Sequence, residues 1–435
     1  MSKNKPYSAV NVKDVNLEKL LAELAGVGEL FVGIDVGKAS LLVAVCHGRR
    51  LFTRAWRVSY PGQLQLLVEL LSKLAEGRKL TVAMEPTGTY ADPLRHALGK
   101  AGLTVLRIES KASHDYAEIF DGTPSQHDTK DAMMLAEMNA NGQGSPWPLV
   151  PRSERDAKMR VLVQQADDQQ AVMGVWNGRL EGLLARHWPE ATGVLDLDSS
   201  TLLRVLAEYG GPAGLAEDAG AEANLRAWGG HWLIAQKVRD LIQSARTTAG
   251  VPAGEAELEQ VRKYAQSALA AHLELESTRR QLEKLAEGDA VLERMGKAVG
   301  RATACVLWAL LGDPRKYSSA GAYLKAAGLN LAERSSGQYE GQLKISKRGP
   351  ALVRKWLYMA AVRLLLRPEA AAWFAAKRQR DGGGQGGGRV PRRRKGVGLI
   401  GLVALMRKLL GAVWHIVRKE EVFDAGRLFG PSSSG

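Results

Sequence analysis

Four carboxylates in this chain stand where a sheet could bring them together. Asp35 closes the apolar run "FVGID", Glu85 closes "LTVAME", and "HDTKDAMMLAEM" sets Asp128 and Asp131 three residues apart at the start of a helix. Residues at i and i+3 share a helix face, so the two aspartates can point at one spot. Carboxylates gathered at the carboxyl edge of a sheet bind paired divalent cations, which clamp a scissile phosphate and stabilise the attacking and leaving oxygens. Hard oxygen donors select Mg²⁺ or Mn²⁺ over zinc. Taken singly, each aspartate also fits a plainer role, in a turn before glycine or at a helix start favoured by capping and the dipole. The order strand-Asp, strand-Glu, helix Asp-x-x-Asp is what points to metal.

The elements that must position these groups can be read from the hydrophobic pattern. From Glu29 to Arg107, short β-rich runs alternate with amphipathic ones: "LFVGID", "LLVAVC" and "LFTRAWRV", the helix "PGQLQLLVELLSKLAEG", then "LTVAM", the helix "ADPLRHALGKAG" and "LTVLRI". Three strands, a helix, a strand, a helix and a strand predict an α/β domain with a mixed sheet over 29–150, after an N-terminal extension at 1–28.

After Pro151 the chain turns polar and helical. Two stretches carry a heptad seam, Leu162, Ala166, Gln169, Met173, Trp176, Leu180, Leu183 and Leu258, Val261, Ala265, Ala268, His272, Leu275, Arg279, Leu282. Such seams need a partner helix, either each other in an antiparallel hairpin or the same segments of another subunit. Gln169, His272 and Arg279 make the seam imperfect and register-setting. Residues 151–290 therefore read as a helical coiled-coil oligomerisation region, with a Gly/Ala-rich connection of low information between the seams.

The remainder, 291–435, reads as helical and basic, broken by "DGGGQGGGRVPRRRKG". Glycine at that density cannot offset its ordering entropy, so 377–396 is expected to be a flexible loop. From Lys377 to Lys395, eight basic residues face one acid, Asp381. Arg392, Arg393, Arg394 and Lys395 suit a phosphate-tracking arm.

Composition agrees. The 435 residues hold 60 Lys and Arg against 46 Asp and Glu, a formal +14, which favours a polyanionic partner. The first twenty residues lack a signal peptide's apolar core, and the run Gly396–Met406 is interrupted by Arg407 and Lys408, so no membrane partner is expected and the protein reads as cytosolic. Cys46 and Cys305 lie apart in apolar stretches, which indicates core positions rather than a disulfide or thiolate site. An actin-like or sugar-kinase ATPase is the rival for "GIDVGKAS", but the second Asp-Gly turn and duplicated domain it requires are missing. A non-catalytic nucleic-acid scaffold would not need all four carboxylates.

The arrangement resembles the RNase H-like nucleases, the Holliday-junction resolvase branch in particular. More specifically, "GIDVGK", "MEPTGTY" and "DTKDAMMLA" resemble three signature blocks of the DEDD transposases of bacterial insertion sequences, the IS one-ten family that includes pilin-type DNA invertases. By that resemblance Asp35, Glu85, Asp128 and Asp131 are the metal tetrad. His127 departs from the small residue the family carries before the first paired aspartate.

A second resemblance covers Leu311 to Ala361, where Gly-Asp-Pro, a helix ending "AGL", a Ser-Gly pair and "ISKRG" follow the family's C-terminal signature. It implies that Ser336, with Ser335 as the alternative, is the recombinase nucleophile in a serine-bearing transposase domain. Lys344, Lys347, Arg348 and Arg354 flank it and suit nucleic-acid phosphates. The resemblance further implies a site-specific recombinase acting on double-stranded donor and target DNA. It implies guidance by a non-coding bridge RNA, assembly as dimers and tetramers, and residence in the bacterial cytoplasm near the nucleoid. The alternative is a metal-dependent Holliday-junction-type nuclease with no covalent serine intermediate.

Overall fold

The structure, a computed structural model, describes residues 7–122, 127–150, 152–333, 343–382 and 397–430. It divides into two units, Met1–Pro151 and Arg152–Gly435.

The first unit is built on a seven-stranded mixed sheet, formed by β1 (Ala9–Asn11), β2 (Glu29–Val36), β3 (Ser40–Cys46), β4 (Ala55–Ser59), β5 (Lys79–Met84), β6 (Thr104–Arg107) and β7 (Ser145–Pro146), in the order β1-β4-β3-β2-β5-β6-β7. β2, β5 and β6 run parallel, β3 is antiparallel to both β2 and β4, and β1 pairs parallel with β4. The five central strands and their order of appearance agree with the pattern predicted from sequence. The segment read as an extension is part of the sheet: β1 adds an edge strand, and Leu20 and Leu24, at α1 (Leu17–Glu23), are buried in the core.

Side-chain alternation splits this unit into two layers. Leu30, Val32 and Ile34 of β2 with Leu80, Val82 and Met84 of β5 face α1, α2 (Leu64–Ala75) and α3 (Asp92–Lys100). Helix α2 presents Leu67, Leu70, Leu71 and Leu74 to them, a 3.6-residue stripe. The alternate residues face α4 (Ser110–Asp121) and α5 (Asp128–Ala140): Leu42, Ala44 and Cys46 of β3 meet Ala132 and Ala136, while Ala83 meets Met134, Leu135 and Met138. With both faces covered, the central strands read as nearly unbroken apolar runs.

Helix α5 lies unusually close to β2. A Cβ on Gly33 would stand 2.2 Å from Ala132 O and 2.2 Å from Ala136 N, so only a hydrogen fits between strand and helix. Nearer the helix's carboxyl end, the buried Asn139 bridges two strands: Nδ2 donates to Val32 O (3.1 Å) and Thr81 O (3.0 Å), and Thr81 Oγ1 donates to Asn139 Oδ1 (2.9 Å).

The second unit is mostly helical. Helices α6 (Glu154–His187) and α12 (Glu255–Ala286) pack antiparallel within the chain, the start of α6 with the end of α12 in one core and the reverse pair in another. Of the two partners the seams allowed, the structure has them pair with each other. The second seam runs through Val261, Ala265 and Ala268 as expected, then through Ala271, Leu275, Thr278 and Leu282, leaving His272 and Arg279 half-buried on its flank. The Gly/Ala-rich connection folds: α7 (Ala191–Val194), α8 (Ser200–Tyr209), α9 (Pro212–Glu217), α10 (Ala221–Gly229) and α11 (Ala235–Arg246) enclose Trp188, Leu202, Leu206, Leu225 and Leu241 at the tip of the hairpin.

The remaining core gathers α13 (Ala290–Val299), α14 (Arg301–Leu311), α15 (Ala320–Ala326), the short strands β8 (Leu331–Ala332) and β9 (Lys344–Ile345), α16 (Ala351–Leu364), α17 (Pro368–Gly382), α18 (Val397–Arg418) and α19 (Ala425–Phe429). Residues 398–418 are long and apolar enough by composition to cross a bilayer, because the helix continues past Arg407 and Lys408. Leu405, Leu409, Leu410, Val413 and Val417 are buried against α13 to α16, which accounts for that composition as a core helix. Cys46 and Cys305 are both buried and free, as expected. Of the loop 377–396, residues 383–396 lie outside the described residues, and 377–382 continue α17.

Gly33→Ala forces α5 off the sheet. We expect a loss of about 1–3 kcal/mol in urea unfolding, and an unchanged midpoint would show that the helix does not press on β2.

Candidate active site

Sheet register sets the first half of the site. The parallel ladder of β2 and β5 pairs Gly33 with Ala83 and Ile34 with Met84, so Asp35 and Glu85 follow as neighbours where the ladder ends. Alternation puts both on the α5 face, with Gly33, Thr81 and Ala83. Helix α5 begins beside them. His127 is its N-cap, its Nδ1 accepting from Thr129 N–H at 3.2 Å, which leaves Asp128 and Asp131 in the first turn.

The four carboxylates are electrostatically coupled. Asp35 is half-buried, and its pKa is pushed up from 3.8 to about 6, first by burial and then by Asp131, Asp128 and Glu85 in that order. Burial also raises Asp131, helped by Glu85 and Asp128 and opposed by Lys130 and His127. Three of the acids are half-buried, and Asp128 stands exposed at the rim. An acidic group held against its own neighbours in this way is suited to a cation that would relieve the repulsion. The donor set is all oxygen, which fits Mg²⁺ or Mn²⁺. Among the described residues no three His, Cys, Asp or Glu side chains stand in a ready-made coordination shell, so the carboxylates would have to turn inwards to close on an ion.

Supporting residues were missed in the sequence. Ser113 of α4, itself buried, donates from Oγ to Glu85 Oε1 and thereby orients that carboxylate. Lys130, fully buried between the two aspartates in sequence, points away from them to Asp121 (2.6 Å), which also accepts from Tyr7. On the far end of α5, Glu137 accepts from Arg50 Nε (3.0 Å) and Tyr116 O–H (2.9 Å). These ties fix α5 in rotation as well as depth. Serine at 113 and asparagine at 139 carry no motif, so only their place in the fold reveals them.

In the second unit, Ser336, Ser335 and Arg334 lie outside the described residues, as do Arg392, Arg393, Arg394 and Lys395. The chain enters and leaves 334–342 through paired strands, Leu331 opposite Ile345 and Ala332 opposite Lys344. Next to them the "AGL" and "KRG" motifs pack backbone to backbone: a Cβ on Gly349 would meet Ala326 O at 2.4 Å, and one on Gly328 would meet Arg348 N at 2.9 Å. Lys347 N–H donates to Gly328 O (2.9 Å) with Lys347 held at φ 55°, and Ser346 N–H donates to Asn330 O (2.8 Å). Lys344, Lys347 and Arg348 are exposed on this braced turn. Arg354 differs from them: its Nη1 donates to Gly349 O (2.9 Å), Ala327 O (3.2 Å) and Pro350 O (3.3 Å), so it holds the turn together.

Comparison with known proteins covers both regions. A family model described as a transposase, of the DEDD IS110 type, matches residues 32–189, and one described as transposase of the IS116/IS110/IS902 family matches 291–375. Residues 190–290, including the tip of the hairpin, lie outside both. The chain is 29% identical over 321 residues to the insertion element IS110 43.6 kDa protein of Streptomyces coelicolor, covering 71% of this chain and 77% of that one. It is 25% identical over 411 residues to the insertion element IS116 44.8 kDa protein of Streptomyces clavuligerus, covering 91% and 96%.

The raised pKa of Asp35 has a sign that can be tested. Ionised Asp35 is disfavoured in the folded state, so its neutral form costs nothing below about pH 4, and metal-free stability falls as pH rises from there through about 6. The full cost is on the order of 2 kcal/mol after discounting for partial exposure. Asp35→Asn should therefore unfold at higher temperature than the parent at neutral pH, the gap closing by pH 4. Parallel stability curves for the two proteins would disprove the coupling.

Proposed function

This chain belongs to the IS116/IS110/IS902 family of insertion-element transposases, and we propose that it cuts and rejoins DNA by metal-assisted phosphoryl transfer through a serine. The observation that carries this reading is the coupling of Asp35, Glu85, Asp128 and Asp131 where β2 and β5 end and α5 begins. The strand order β4-β3-β2-β5-β6 with β3 antiparallel supports an RNase H-like unit. Asp35, Glu85, Asp128 and Asp131 would hold divalent ions, which neutralise charge on the scissile phosphate.

The chain's own residues do the rest. Ser336 gives up its hydroxyl proton as its oxygen attacks phosphorus, the bond to one sugar oxygen breaks, that oxygen takes up a proton, and the phosphoserine ester conserves the phosphodiester bond energy for rejoining. Lys344, Lys347 and Arg348, beside the serine segment, steady the phosphate and the charge that grows on it. Sharing of carboxylates and serine between subunits of a dimer or tetramer, and target choice by a bridge RNA, belong to the same reading. A basic chain suits a protein that tracks the nucleic-acid backbone while pairing chooses the sequence.

The test is a trapping assay with Mg²⁺, element-end and target DNA and the flanking RNA, quenched in detergent and probed for protein on DNA. Asp131→Ala should abolish cleavage, by at least about a thousandfold, while nucleic-acid binding persists. Ser336→Ala should abolish the adduct. Metal-dependent cleavage without an adduct, unaffected by Ser336→Ala, would instead make the protein a junction nuclease whose serine segment grips the backbone.

A further inference from the structure

Two guanidinium groups of the second unit stand within electrostatic range of each other. Arg279, on the flank of the α12 seam, has its guanidinium carbon 5.6 Å from the centroid of the Trp356 ring on α16, and its Nε is buried with no hydrogen-bond partner. Arg363, seven residues along α16 from that tryptophan, reaches to the first turn of α14, where Nη2 donates weakly to Thr303 Oγ1 at 3.4 Å. The end of α14 is bare: its N-cap is Gly300, no side chain caps its amides, and Arg363 Nη2 lies 3.7 Å from where a Cβ on Gly300 would stand.

A cation at the amino end of a helix is on the wrong side of the dipole. Here one guanidinium occupies that end and a second, half-buried, stands near enough that burial and Arg363 together hold its pKa below the ordinary arginine value. Glu276 and Glu283 of α12 are also in electrostatic range of Arg279. Neither hydrogen-bonds to it, and Glu276 lies against His272 (3.5 Å) and Arg280 (4.0 Å). Arg301, next to Gly300, faces Glu287 at 3.8 Å. Stability alone gives no reason to bring a second cation, at a bare helix start, within range of the arginine that lies over Trp356, and removing one would relieve repulsion.

We propose that Arg279 and Arg363, with Trp356 as floor, form a notch that takes one backbone phosphate of a nucleic acid. A phosphodiester presents two unesterified oxygens, which suits planar guanidinium donors, and it would neutralise the charge at the α14 end. The notch lies outside the carboxylate unit and away from the serine segment in sequence, so it is a grip on the polymer rather than part of the chemistry. The inference rests on the nucleic-acid reading above, and duplex DNA and RNA are its two possible sources of phosphate.

Full-length protein would be titrated with a labelled duplex DNA and with a labelled single-stranded RNA across a salt series, alongside Arg363→Gln, Arg363→Lys and Arg279→Met. For the polymer that occupies the notch, Arg363→Gln should weaken binding several-fold and lower the slope of log K against log salt by about 1. Arg363→Lys should restore most of the slope, and Arg279→Met, if it folds, should match Arg363→Gln. Exposed Arg363 can be changed without disturbing the core, so the test survives a failure of Arg279→Met to fold. Equal slopes and affinities for parent and Arg363→Gln on both polymers would overturn the notch while leaving nucleic-acid binding intact. A parent that binds neither polymer would overturn the reading on which the notch rests.

Discussion

The first unit depends on one absent methyl group. With no side chain at Gly33, α5 can lie on β2 at backbone distance, and the small residues Ala132 and Ala136 complete the contact. Asp35 is two residues further along the same face, and the first turn of α5 is four residues before Ala132, so the depth of that contact sets how far Asp128 and Asp131 stand from the strand ends. Asn139 fixes the other end by bridging Val32 and Thr81, residues of the two strands that carry Asp35 and Glu85. Strand register and helix position are thereby tied together. A close-packed interior is not continuously deformable, and that rigidity is what carboxylates sharing ions require.

This placement has an electrostatic cost, and the fold meets it locally. Burial and the neighbouring acids raise the proton affinity of Asp35 and Asp131. Lys130 offsets part of that from beneath, but its own charge is committed to Asp121, so the cluster stays acidic on its open side. A site that neutralised itself with internal cations would have no remaining affinity for a divalent ion. Positive charge is displayed to solvent on the turn of the second unit that carries Lys344, Lys347 and Arg348.

Much of this was legible in the sequence, and the gaps have physical causes. Strands β2, β3 and β5 announce themselves because burial on both faces demands unbroken apolar runs, and the acids stand at the carboxyl ends of two of them, Asp35 one residue before β2 ends and Glu85 one residue after β5 ends. The Asp-x-x-Asp spacing is local, and a local spacing survives folding. What could not be read was long-range: three-residue β1 carries too little pattern to separate from an extension, Ser113 acts only through its distance from Glu85, and Gly33 looks like any glycine until a helix lies over it. The tip of the hairpin was obscured for a different reason. Alanine and glycine carry weak periodicity, while the residues that bury that module, Leu202, Leu206, Leu225 and Leu241, are spread over three short helices.

The seams show how a correct pattern can conceal a local change of partner. A heptad run that includes Arg279 reads as an interface with a polar break, and such breaks set register between helices. In the structure the buried line moves to Ala271 and Thr278, one position back from His272 and Arg279, as α12 leaves the hairpin tip for the lower core. With the apolar line already covered by α6, an arginine on its flank is not needed to choose between helices, and the structure turns it to Trp356 and Arg363 instead. Arg279 therefore has to be explained by what it faces on α16, while His272 lies against Glu276 of its own helix, and self-association, where it occurs, must draw on surfaces other than the seam residues that the hairpin has buried.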